Sequence, residues 1–414
     1  MRLTSILSTI RQAIPQASFE PVSTRMPDDH LKLSSASIPQ SNLEPPQWIL
    51  PSKLNRYRTP GVVPSTLKIG LQVEQPSVTF HLDAPIQVGT MTLSPGKTYQ
   101  VSPQGSQLDL TIPGDATFAP LRCDPPLILK ASEPGSFMVG KHRYRGDLEV
   151  EPSPGVPGKV TLINQVGLED YLLGVVPSEM AHGWPGEALK AQAVAARTYA
   201  AANIGRRSAK GFDLYATVDD QVYKGMSVES PDTTAAVRQT KGQILTYHGA
   251  PIDALFHSSS GGETDDALEV WGIDLPYIQG VKDIDESPNR QWTQRYSQQQ
   301  VLNALAKLGV DVGAVEHLTI TSTTHHGRAR ELMAQGTKGT STVDANRFRL
   351  AIGLKSTRFS IFPTTTGWKF HGGGYGHGLG MSQWGARSYA ERGKDYKTIL
   401  MFYYTGVQLT TVHD

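Results

Sequence analysis

Cysteine is almost absent, because the 414-residue chain contains only Cys123. An internal disulfide needs two cysteines and a thiolate zinc cluster needs several, so the composition excludes both. A single cysteine is usually a small apolar residue, and it does not fix the cellular compartment. The fold must therefore be stabilised without covalent cross-links between cysteines.

Long hydrophobic runs are also missing. The opening stretch, "MRLTSILSTIRQAIPQASFEP", is interrupted by serine and threonine, whereas a secretory signal has an unbroken apolar segment of about 7–15 residues. No later stretch reaches the roughly 20 apolar residues of a membrane-spanning helix. We therefore expect no stable membrane insertion, and no export signal is evident.

Neither sign of charge is in excess, since 39 basic residues face 38 acidic ones. Proteins that bind nucleic acid usually carry a clear basic excess, so this balance argues against a nucleic-acid partner. It is more typical of a protein that binds a neutral polar polymer or a small molecule.

Composition divides the chain into three regions. Residues 1–60 are rich in proline, serine and glutamine and predict a disordered leader. Residues 61–165 contain short alternating segments bounded by glycine, proline or aspartate, such as "SVTFHLD" and "QLDLTIP", and predict a β-rich module. Residues 166–414 mix helical and strand patterns, so the expected fold class is α+β, with a mixed α/β core.

Four helices are expected in this core. The clearest covers residues 185–203, where a proline begins an alanine-rich segment with high helix propensity. Residues 233–240, 297–309 and 382–394 have the length and caps of shorter helices. Strands are expected at "QILTYHG" and "APIDALFHSSS", and "HLTITSTT" and "ARELMAQG" are expected to flank a turn.

A glutamate before the first of these helices is a candidate general acid. Glu179 follows a Val-Val-Pro segment and is expected at a strand-to-helix junction, where partial desolvation raises a carboxyl pKa. From spacing alone, the simpler explanation is an ordinary loop glutamate or a cap-like carboxylate near the positive end of the helix.

Two cations lie on one face of the same helix, because Lys190 and Arg197 are seven residues apart. A solvated basic stripe is the usual explanation of such spacing. The helix is otherwise largely alanine, valine and leucine, so it is expected to be buried, and buried cations need carboxylate or hydroxyl partners. This favours a polar site on that face.

The segment "LFHSSSGGETDDALEVWG" places His257 at the end of a strand. It lacks the Gly-x-Ser-x-Gly pattern of a serine hydrolase nucleophile. His257 with Glu263 is also a thin set of metal ligands, so no metal is expected there.

A glycine-rich stretch near the C-terminus, "KFHGGGYGHGLGMSQWGARSYAERG", has seven glycines between Gly372 and Gly385. His377 stands where a phosphate-binding loop carries lysine, so a nucleotide site is disfavoured. We expect instead a glycine floor on which a sugar chain lies, with His377 exposed at its centre. Tyr375 and Trp384 would offer aromatic faces to the sugars, although Trp384 could equally anchor the last helix in the core.

The ordered motifs "YLLGVVPSEM", "WPGEALKAQAVAARTYA", "FHSSSGGET", "GLKSTRF" and "GGGYGHGLGMSQWGARSYA" resemble the stage II sporulation protein D family, which includes amidase enhancers of bacterial cell walls. The resemblance runs from about residue 62 to residue 406. It implies a peptidoglycan lytic transglycosylase, which cleaves glycan strands beside N-acetylmuramic acid and leaves a 1,6-anhydro end.

The resemblance assigns roles to individual residues. Glu179 matches the family's catalytic acid, and Lys190 and Arg197 match its important lysine and arginine. The expected substrate-binding residues are Lys190, Arg197, His257, Ser259, Tyr375, His377, Gln383 and Trp384. No cofactor is expected. Some members hold zinc through cysteines and a second histidine near the "FHSSSGGET" segment, but serine and glutamate stand there in this chain.

The expected partners are peptidoglycan glycan strands and, in one alternative, a separate cell-wall amidase that a non-catalytic wall-binding protein would stimulate. Such a substrate implies an extracytoplasmic location, in the periplasm or cell wall.

Overall fold

A computed structural model describes residues 65–131 and 135–412, all of which belong to one compact unit. It has a mixed α/β fold, as the sequence predicts. The leader predicted for residues 1–60 lies outside the described residues.

The first part of the described chain, up to residue 167, consists of strands joined by turns and loops. Short polar turns separate segments whose buried and exposed residues alternate, as in Val78–Leu82. The strands are β1 (Thr66–Gln75), β2 (Val78–Leu82), β3 (Ile86–Val88), β4 (Met91–Leu93), β5 (Thr98–Gln104), β6 (Gln107–Thr111), β7 (Leu121–Cys123), β8 (Leu127–Leu129), β9 (Phe137–Val139), β10 (His142–Tyr144), β11 (Asp147–Pro152) and β12 (Val160–Gly167).

These strands form two main sheets. The six-stranded sheet has the order β10-β9-β2-β5-β6-β7, and all of its pairs are antiparallel. In the five-stranded sheet, β8, β11, β12 and β1 are antiparallel, and β13 (Leu214–Tyr215) adds a parallel edge strand to β1. The β-rich character predicted for this region is confirmed.

Eight α-helices lie in the described part of the chain after β12. They are α1 (Leu168–Glu179), α2 (Gly186–Asn203), α3 (Pro231–Gln239), α4 (Ala267–Trp271), α5 (Gln298–Lys307), α6 (Ala345–Ile352), α7 (Gln383–Glu391) and α8 (Tyr396–Tyr403). Short 3-10 turns occur at Ser208–Lys210 and Gly225–Val228. The four predicted helices correspond to α2, α3, α5 and α7.

The remaining strands are β14 (Gln243–Tyr247), β15 (Ala250–Pro251), β16 (Phe256–His257), β17 (Trp292–Ser297), β18 (Val315–Thr323), β19 (Ala329–Gly336), β20 (Gly339–Asp344), β21 (Phe359–Thr364), β22 (Gly367–Gly372), β23 (Met381–Ser382) and β24 (Gln408–Thr411). They form small sheets, among them β17-β22-β21, β18-β19-β20 and the parallel pair β16-β23. The hairpin predicted from "HLTITSTT" and "ARELMAQG" is the β18–β19 pair.

Three clusters of buried apolar side chains support the fold. The first joins the N-terminal strands to α1 and α2, and the second lies between α2, α7 and α8. The third lies within residues 292–370 and packs α5 and α6 against the strands around them. Helix α2 contributes to the first two clusters, which places it at the centre of the fold. The domain boundary predicted at residues 165 and 166 stays a prediction.

None of the described helices is both long enough and apolar enough to span a bilayer.

Candidate functional site

Glu179 is the last residue of α1, and Met180 caps the helix. The expected strand-to-helix junction is therefore wrong: the segment before Glu179 is helical, with Pro177 in its final turn. A carboxyl group at the carboxyl end of a helix faces the negative end of the helix dipole, which disfavours its ionised form.

Two donors reach the Glu179 carboxylate from distant parts of the chain. The Val222 backbone N–H donates to Oε1 at 2.8 Å. The Gln383 side-chain amide donates to Oε2 at the longer distance of 3.4 Å. The two oxygens are therefore in different environments, one held by a short backbone hydrogen bond and one by a loose amide contact.

Burial raises the pKa of Glu179 above its ordinary value. The hydrogen bonds from Val222 and Gln383 and the nearby ammonium of Lys224 oppose this rise, because each stabilises the charged carboxylate. The net shift is upward, as the proposed role of a general acid requires.

Gln383 links Glu179 to helix α2. It is 6% exposed at the start of α7, where Ser382 caps the helix by accepting from the Gly385 N–H. Its amide also lies 3.5 Å from Oε1 of Gln192, a fully buried residue of α2. The structure thus places Gln383 behind the carboxyl group of Glu179, between that group and the protein core.

Two half-buried tryptophans lie together next to these elements. Trp184, in the turn between α1 and α2, meets Trp384 of α7 edge-to-face with ring centroids 5.1 Å apart. The Arg387 guanidinium lies 5.3 Å and 4.9 Å from the centroids of the two rings. Trp384 therefore belongs to a half-buried cluster of Trp184, Trp384 and Arg387, which we call the tryptophan pair with its arginine.

The predicted cations of α2 bind protein groups. Lys190 pairs with Glu187 at 2.8 Å and lies 5.9 Å from the Tyr396 ring centroid. Arg197 is fully buried and binds both carboxylate oxygens of Glu169, at 2.7 Å and 2.8 Å, near the start of α1. Its remaining donors reach backbone carbonyls of Val237 and Gln243.

Arg197 therefore acts on Glu179 from the opposite end of α1 by fixing the helix that carries it. This agrees with the expectation that buried cations on α2 have carboxylate partners. A direct contact of Arg197 with substrate stays a prediction that this packing does not favour.

The loop after His257 and the glycine-rich stretch lie side by side. Strands β16 and β23 pair in parallel, Ser259 and Tyr375 form an antiparallel bridge, and the Trp384 N–H donates to the Ser258 carbonyl at 3.1 Å. Ser259 is buried and donates to Asp285 at 2.6 Å, whereas Tyr375 is 49% exposed. Of these two candidate residues, only Tyr375 offers a free surface.

His377 is half-buried, so its expected exposure at the centre of the loop is wrong. Its Nε2 donates to the Phe256 carbonyl at 3.0 Å, and its Nδ1 accepts from the Leu379 N–H at 3.0 Å. Burial and the charge of Arg349 lower the pKa of His377 to about 3, so the ring is neutral. Both ring nitrogens are used by the backbone, and a sugar would have to displace one of these bonds.

His257 is buried and packs against His377, with ring centroids 5.4 Å apart. Its Nδ1 lies 3.1 Å from the Leu379 carbonyl. Burial, His377 and Arg328 hold the pKa of His257 well below its ordinary value. His257 therefore packs against the buried side of the glycine-rich stretch and does not face solvent.

The glycines of this stretch are required by the protein itself. An added Cβ would lie 2.8 Å from the Ser259 carbonyl oxygen at Gly374, 2.8 Å from the His257 Cβ at Gly376 and 2.1 Å from the Arg328 guanidinium carbon at Gly378. These three residues also have positive φ angles between 85° and 114°. Close internal packing explains the glycines without a sugar lying on them.

The end of α1, helix α2, the loop after His257 and the glycine-rich stretch are connected through Gln383 and its neighbours. Gln383 contacts Glu179 and α2, while Trp384 and β23 contact the loop around His257. Helix α2 takes part through Gln192 rather than through Lys190 or Arg197. Sequence reasoning missed Val222, because a backbone donor leaves no side-chain signal, and it missed Gln192, which has the appearance of a core polar residue.

One group of possible metal ligands exists among the described residues. Ligand atoms of Asp265, Asp266 and His326 all lie within 4.8 Å of one another. Both nitrogens of His326 already face carboxylates, Glu263 at 3.1 Å and Asp266 at 3.2 Å. Burial opposes protonation of His326, but Glu263 and the neighbouring aspartates Asp265 and Asp266 together raise its pKa. This group does not include His257.

The fold and the site define a mixed α/β protein in which the largely desolvated carboxyl group of Glu179 and a pair of half-buried tryptophans lie on neighbouring elements. Comparison with known proteins identifies its relatives. A family model described as stage II sporulation protein matches residues 157–247, and a domain of unknown function (DUF8618) matches residues 270–380.

Three relatives are similar over long stretches. Stage II sporulation protein D of Bacillus amyloliquefaciens is 35% identical over 273 residues, which cover 60% of this chain and 75% of that protein. An uncharacterized protein of Brachyspira hyodysenteriae is 37% identical over 278 residues, 66% of this chain and 74% of that protein. An amidase enhancer of Bacillus subtilis is 35% identical over 295 residues, 58% of this chain but only 40% of the relative. The chain belongs to the stage II sporulation protein D family.

Proposed function

We propose that the protein acts on the bacterial cell wall as a peptidoglycan lytic transglycosylase, with Glu179 as its general acid and base. The observation that carries this proposal is the environment of Glu179: burial raises the pKa of its carboxyl group, which accepts hydrogen bonds from Val222 and Gln383. The names of the relatives, which refer to sporulation and to amidase enhancement, agree with a role at the cell wall.

One carboxyl group suffices for this reaction. Hydrolysis by a glycosidase normally uses two carboxyl groups. In the proposed reaction Glu179 protonates the glycosidic oxygen as its bond to C1 of the muramic acid breaks. The C6 hydroxyl of the same sugar then attacks C1 and returns its proton to Glu179. The products are a 1,6-anhydro end and a free 4-hydroxyl, and no water is consumed.

The glycan is proposed to lie along the tryptophan pair with its arginine. Trp184 and Trp384 are half-buried, and Trp384 directly follows Gln383, which contacts Glu179. Exposed faces and edges of aromatic rings pack against the apolar faces of sugars. Tyr375, the other exposed aromatic residue of the predicted set, extends the proposed contact surface toward the glycine loop.

A second candidate function is a non-catalytic enhancer that binds the wall and stimulates a separate amidase. The similarity to the amidase enhancer of Bacillus subtilis favours it. This function would use the same aromatic surface without any need for a raised Glu179 pKa. The two candidates therefore differ in turnover and not in binding.

The substitution Glu179→Gln separates the two. Purified protein is mixed with glycan strands, with and without stem peptides, and 1,6-anhydro ends are counted by mass spectrometry. We expect Glu179→Gln to retain fold and glycan binding while turnover falls by at least about 100-fold, because a neutral amide cannot transfer the proton.

Glu316→Gln is the matched control, since Glu316 is an exposed residue of β18 far along the chain from the site. We expect the Glu316→Gln protein to turn over glycan strands at the wild-type rate. Absence of anhydro ends from the wild-type protein, together with stimulation of an added amidase, would establish the enhancer instead.

An extracytoplasmic location is part of the proposal, because peptidoglycan lies outside the cytoplasmic membrane. Fractionation of cells with an antibody raised against residues 65–412 tests it. Protein confined to the cytoplasmic fraction would contradict both candidate functions.

A further inference from the structure

We infer that the segment Asp220–Gly225 is a positioning element for Glu179, which fixes Oε1 as an acceptor and leaves Oε2 as the oxygen that exchanges the proton. This inference rests on the proposed function for its catalytic meaning. Its structural part concerns contacts of Glu179 that exist with or without turnover.

The segment is locked in place on its N-terminal side by two buried polar side chains. Asp220 accepts from the Tyr215 N–H and the Tyr199 hydroxyl, both at 2.9 Å, and pairs with Arg207 at 3.4 Å. Gln221 is fully buried, accepts from the Tyr171 hydroxyl at 3.3 Å and donates to the Ala196 carbonyl at 3.4 Å. The next residue, Val222, is the donor to Glu179.

The segment is locked on its C-terminal side by close packing against α1. Tyr223 is buried, its ring lies 4.8 Å from that of Tyr171, and its hydroxyl donates to Asn164 at 3.1 Å. A Cβ at Gly174 would lie 2.7 Å from the Tyr223 ring and 2.8 Å from the Gly225 carbonyl oxygen. Gly174 is thus a glycine inside a helix because the segment must approach α1 closely.

Both anchors therefore converge on α1, the helix that ends at Glu179. Tyr171 and Gly174 lie on the helix, and Gln221, Tyr223 and Gly225 lie on the segment that crosses it. With both neighbours of Val222 fixed, its N–H is aimed at Oε1 and cannot follow the carboxyl group if that group rotates. Gln221 and Gly174 touch neither Glu179 nor a substrate, so they are positioning residues.

The difference between the hydrogen bonds to Oε1 and Oε2 decides which of the two oxygens carries the proton. An oxygen that accepts a short backbone hydrogen bond at 2.8 Å is the less favourable site for the proton, because protonation uses one of its lone pairs and makes it a weaker acceptor for the Val222 N–H. The proton of the neutral acid therefore resides on Oε2, where the hydrogen bond from the described residues is the long one from Gln383, at 3.4 Å. A rotation of the Gln383 amide by half a turn would let its oxygen accept from protonated Oε2. A matching half-turn of the Gln192 amide would bring its Nε2, a buried nitrogen that has no partner among the described residues, to the place of Oε1, from which it could donate to the turned Gln383 oxygen.

The charged and titratable groups around Glu179 are few in the described part of the chain. Lys224, two residues after Val222, lowers its pKa, and Tyr171 lies close enough for its own pKa to be raised in part by Glu179. Displacement of the segment would therefore remove the Val222 donor and move the Lys224 ammonium. Both changes destabilise the ionised carboxylate.

The test compares Gly174→Ala with Gly167→Ala. Gly174 lies inside α1, and Gly167 is its N-cap residue. An added Cβ at Gly167 would lie 3.6 Å from its nearest neighbour, which is an ordinary van der Waals contact. The carboxyl group of Glu179 is titrated by NMR in protein carrying 13C-carboxyl glutamate, with its signal identified by Glu179→Gln. The pH profile of kcat/KM on glycan strands is measured in parallel.

We expect Gly174→Ala to raise the Glu179 pKa, to move the high-pH limb of kcat/KM upward with it, and to lower kcat by about tenfold or more. Gly167→Ala should match the wild-type protein in all three. If Gly174→Ala only destabilised the fold, the amount of active protein would fall, but the pKa of the high-pH limb of kcat/KM would stay unchanged. A folded Gly174→Ala protein with unchanged Glu179 titration would overturn the inference.

Gln221→Met decides the matter if Gly174→Ala does not fold, because it keeps the side-chain volume and removes both anchoring hydrogen bonds. An upward shift of the Glu179 titration is expected, and its absence would equally overturn the inference. Should the wild-type protein produce no anhydro ends, the proposed function fails, while the titration still tests the positioning element on its own.

Discussion

At the scale of single residues, the candidate site depends on Glu179, whose carboxyl group lies at the end of α1 and accepts a hydrogen bond from the Val222 N–H. The role of Glu179 came from the resemblance, and its raised pKa agrees with the structure, but its position at the end of α1 was not foreseen. Helix α1 was not predicted because it contains Gly174 and Pro177, and both residue types are unfavourable inside a helix. Gly174 is present for the sake of the crossing segment, which only the folded chain reveals.

The raised pKa of Glu179 makes a prediction about stability. Burial disfavours the charged form in the folded state, so ionisation of Glu179 costs more in the folded than in the unfolded protein. The contribution of Glu179 to stability is therefore greatest at low pH and is lost as the pH rises through its folded-state pKa.

Glutamine does not ionise, so Glu179→Gln should be at least as stable as the wild-type protein at pH 8 and should lose that advantage toward pH 5. Thermal unfolding across this range measures the difference in Tm between the two proteins. Glu316→Gln, at a residue that is exposed to water, should show no such trend. If the Tm of Glu179→Gln relative to the wild-type protein fell as the pH rose, the pKa of Glu179 would be lowered in the folded protein and not raised.

At the scale of elements, local patterns were sufficient where the local sequence decides the structure. The alanine-rich pattern predicted α2, and the alternation of apolar residues predicted the β18–β19 hairpin. The glycine-rich stretch was different, because its conformation depends on contacts with the loop after His257 and with Arg328, which lie far away in sequence. A glycine pattern indicates that another group approaches the backbone closely, but it does not show whether that group belongs to the protein or to a ligand.

The two explanations for the glycines give different results for Gly378→Ala. Gly378 has a φ of 85°, and an added Cβ would lie 2.1 Å from the guanidinium carbon of buried Arg328. Gly327 has a similar φ of 81°, in the turn between β18 and β19, with nothing within 4 Å of an added Cβ.

We expect Gly327→Ala to cost about 1 kcal/mol, which is the usual cost of a left-handed alanine. Gly378→Ala should cost about 3 kcal/mol or more, because the clash is added to the same backbone term. Urea unfolding of both variants measures the two costs. Equal losses in stability, with glycan binding reduced only in Gly378→Ala, would instead support the sugar floor.

At the scale of the whole molecule, the site lies where separately organised parts of the chain meet. Glu179 comes from α1, the Val222 donor follows β13, and Gln383 opens α7 some 200 residues later in sequence. The third hydrophobic cluster, within residues 292–370, supports the glycine loop through the indole N–H of Trp292, which donates to the Gly374 carbonyl at 2.9 Å. The contacts that join these parts are formed largely by backbone groups and amides, which leave no signal in the sequence.

The balanced charge of the chain and its aromatic surface predict how a glycan is bound. With 39 basic and 38 acidic residues, no large electrostatic attraction operates. Affinity for purified glycan strands should therefore change by less than about threefold between 50 mM and 500 mM NaCl, unlike a protein that neutralises several charges on its ligand. Trp184→Ala and Trp384→Ala should each weaken binding by about tenfold, because they remove aromatic contact area.

Phe362→Ala provides the control, since Phe362 is 43% exposed on β21, in a sheet separate from the tryptophan pair. Co-sedimentation with glycan strands at the two salt concentrations measures all three variants. A tenfold loss of binding at high salt, with both tryptophan variants unaffected, would mean that charged side chains such as Arg387 hold the glycan. In that case the aromatic surface beside Glu179 would need another ligand.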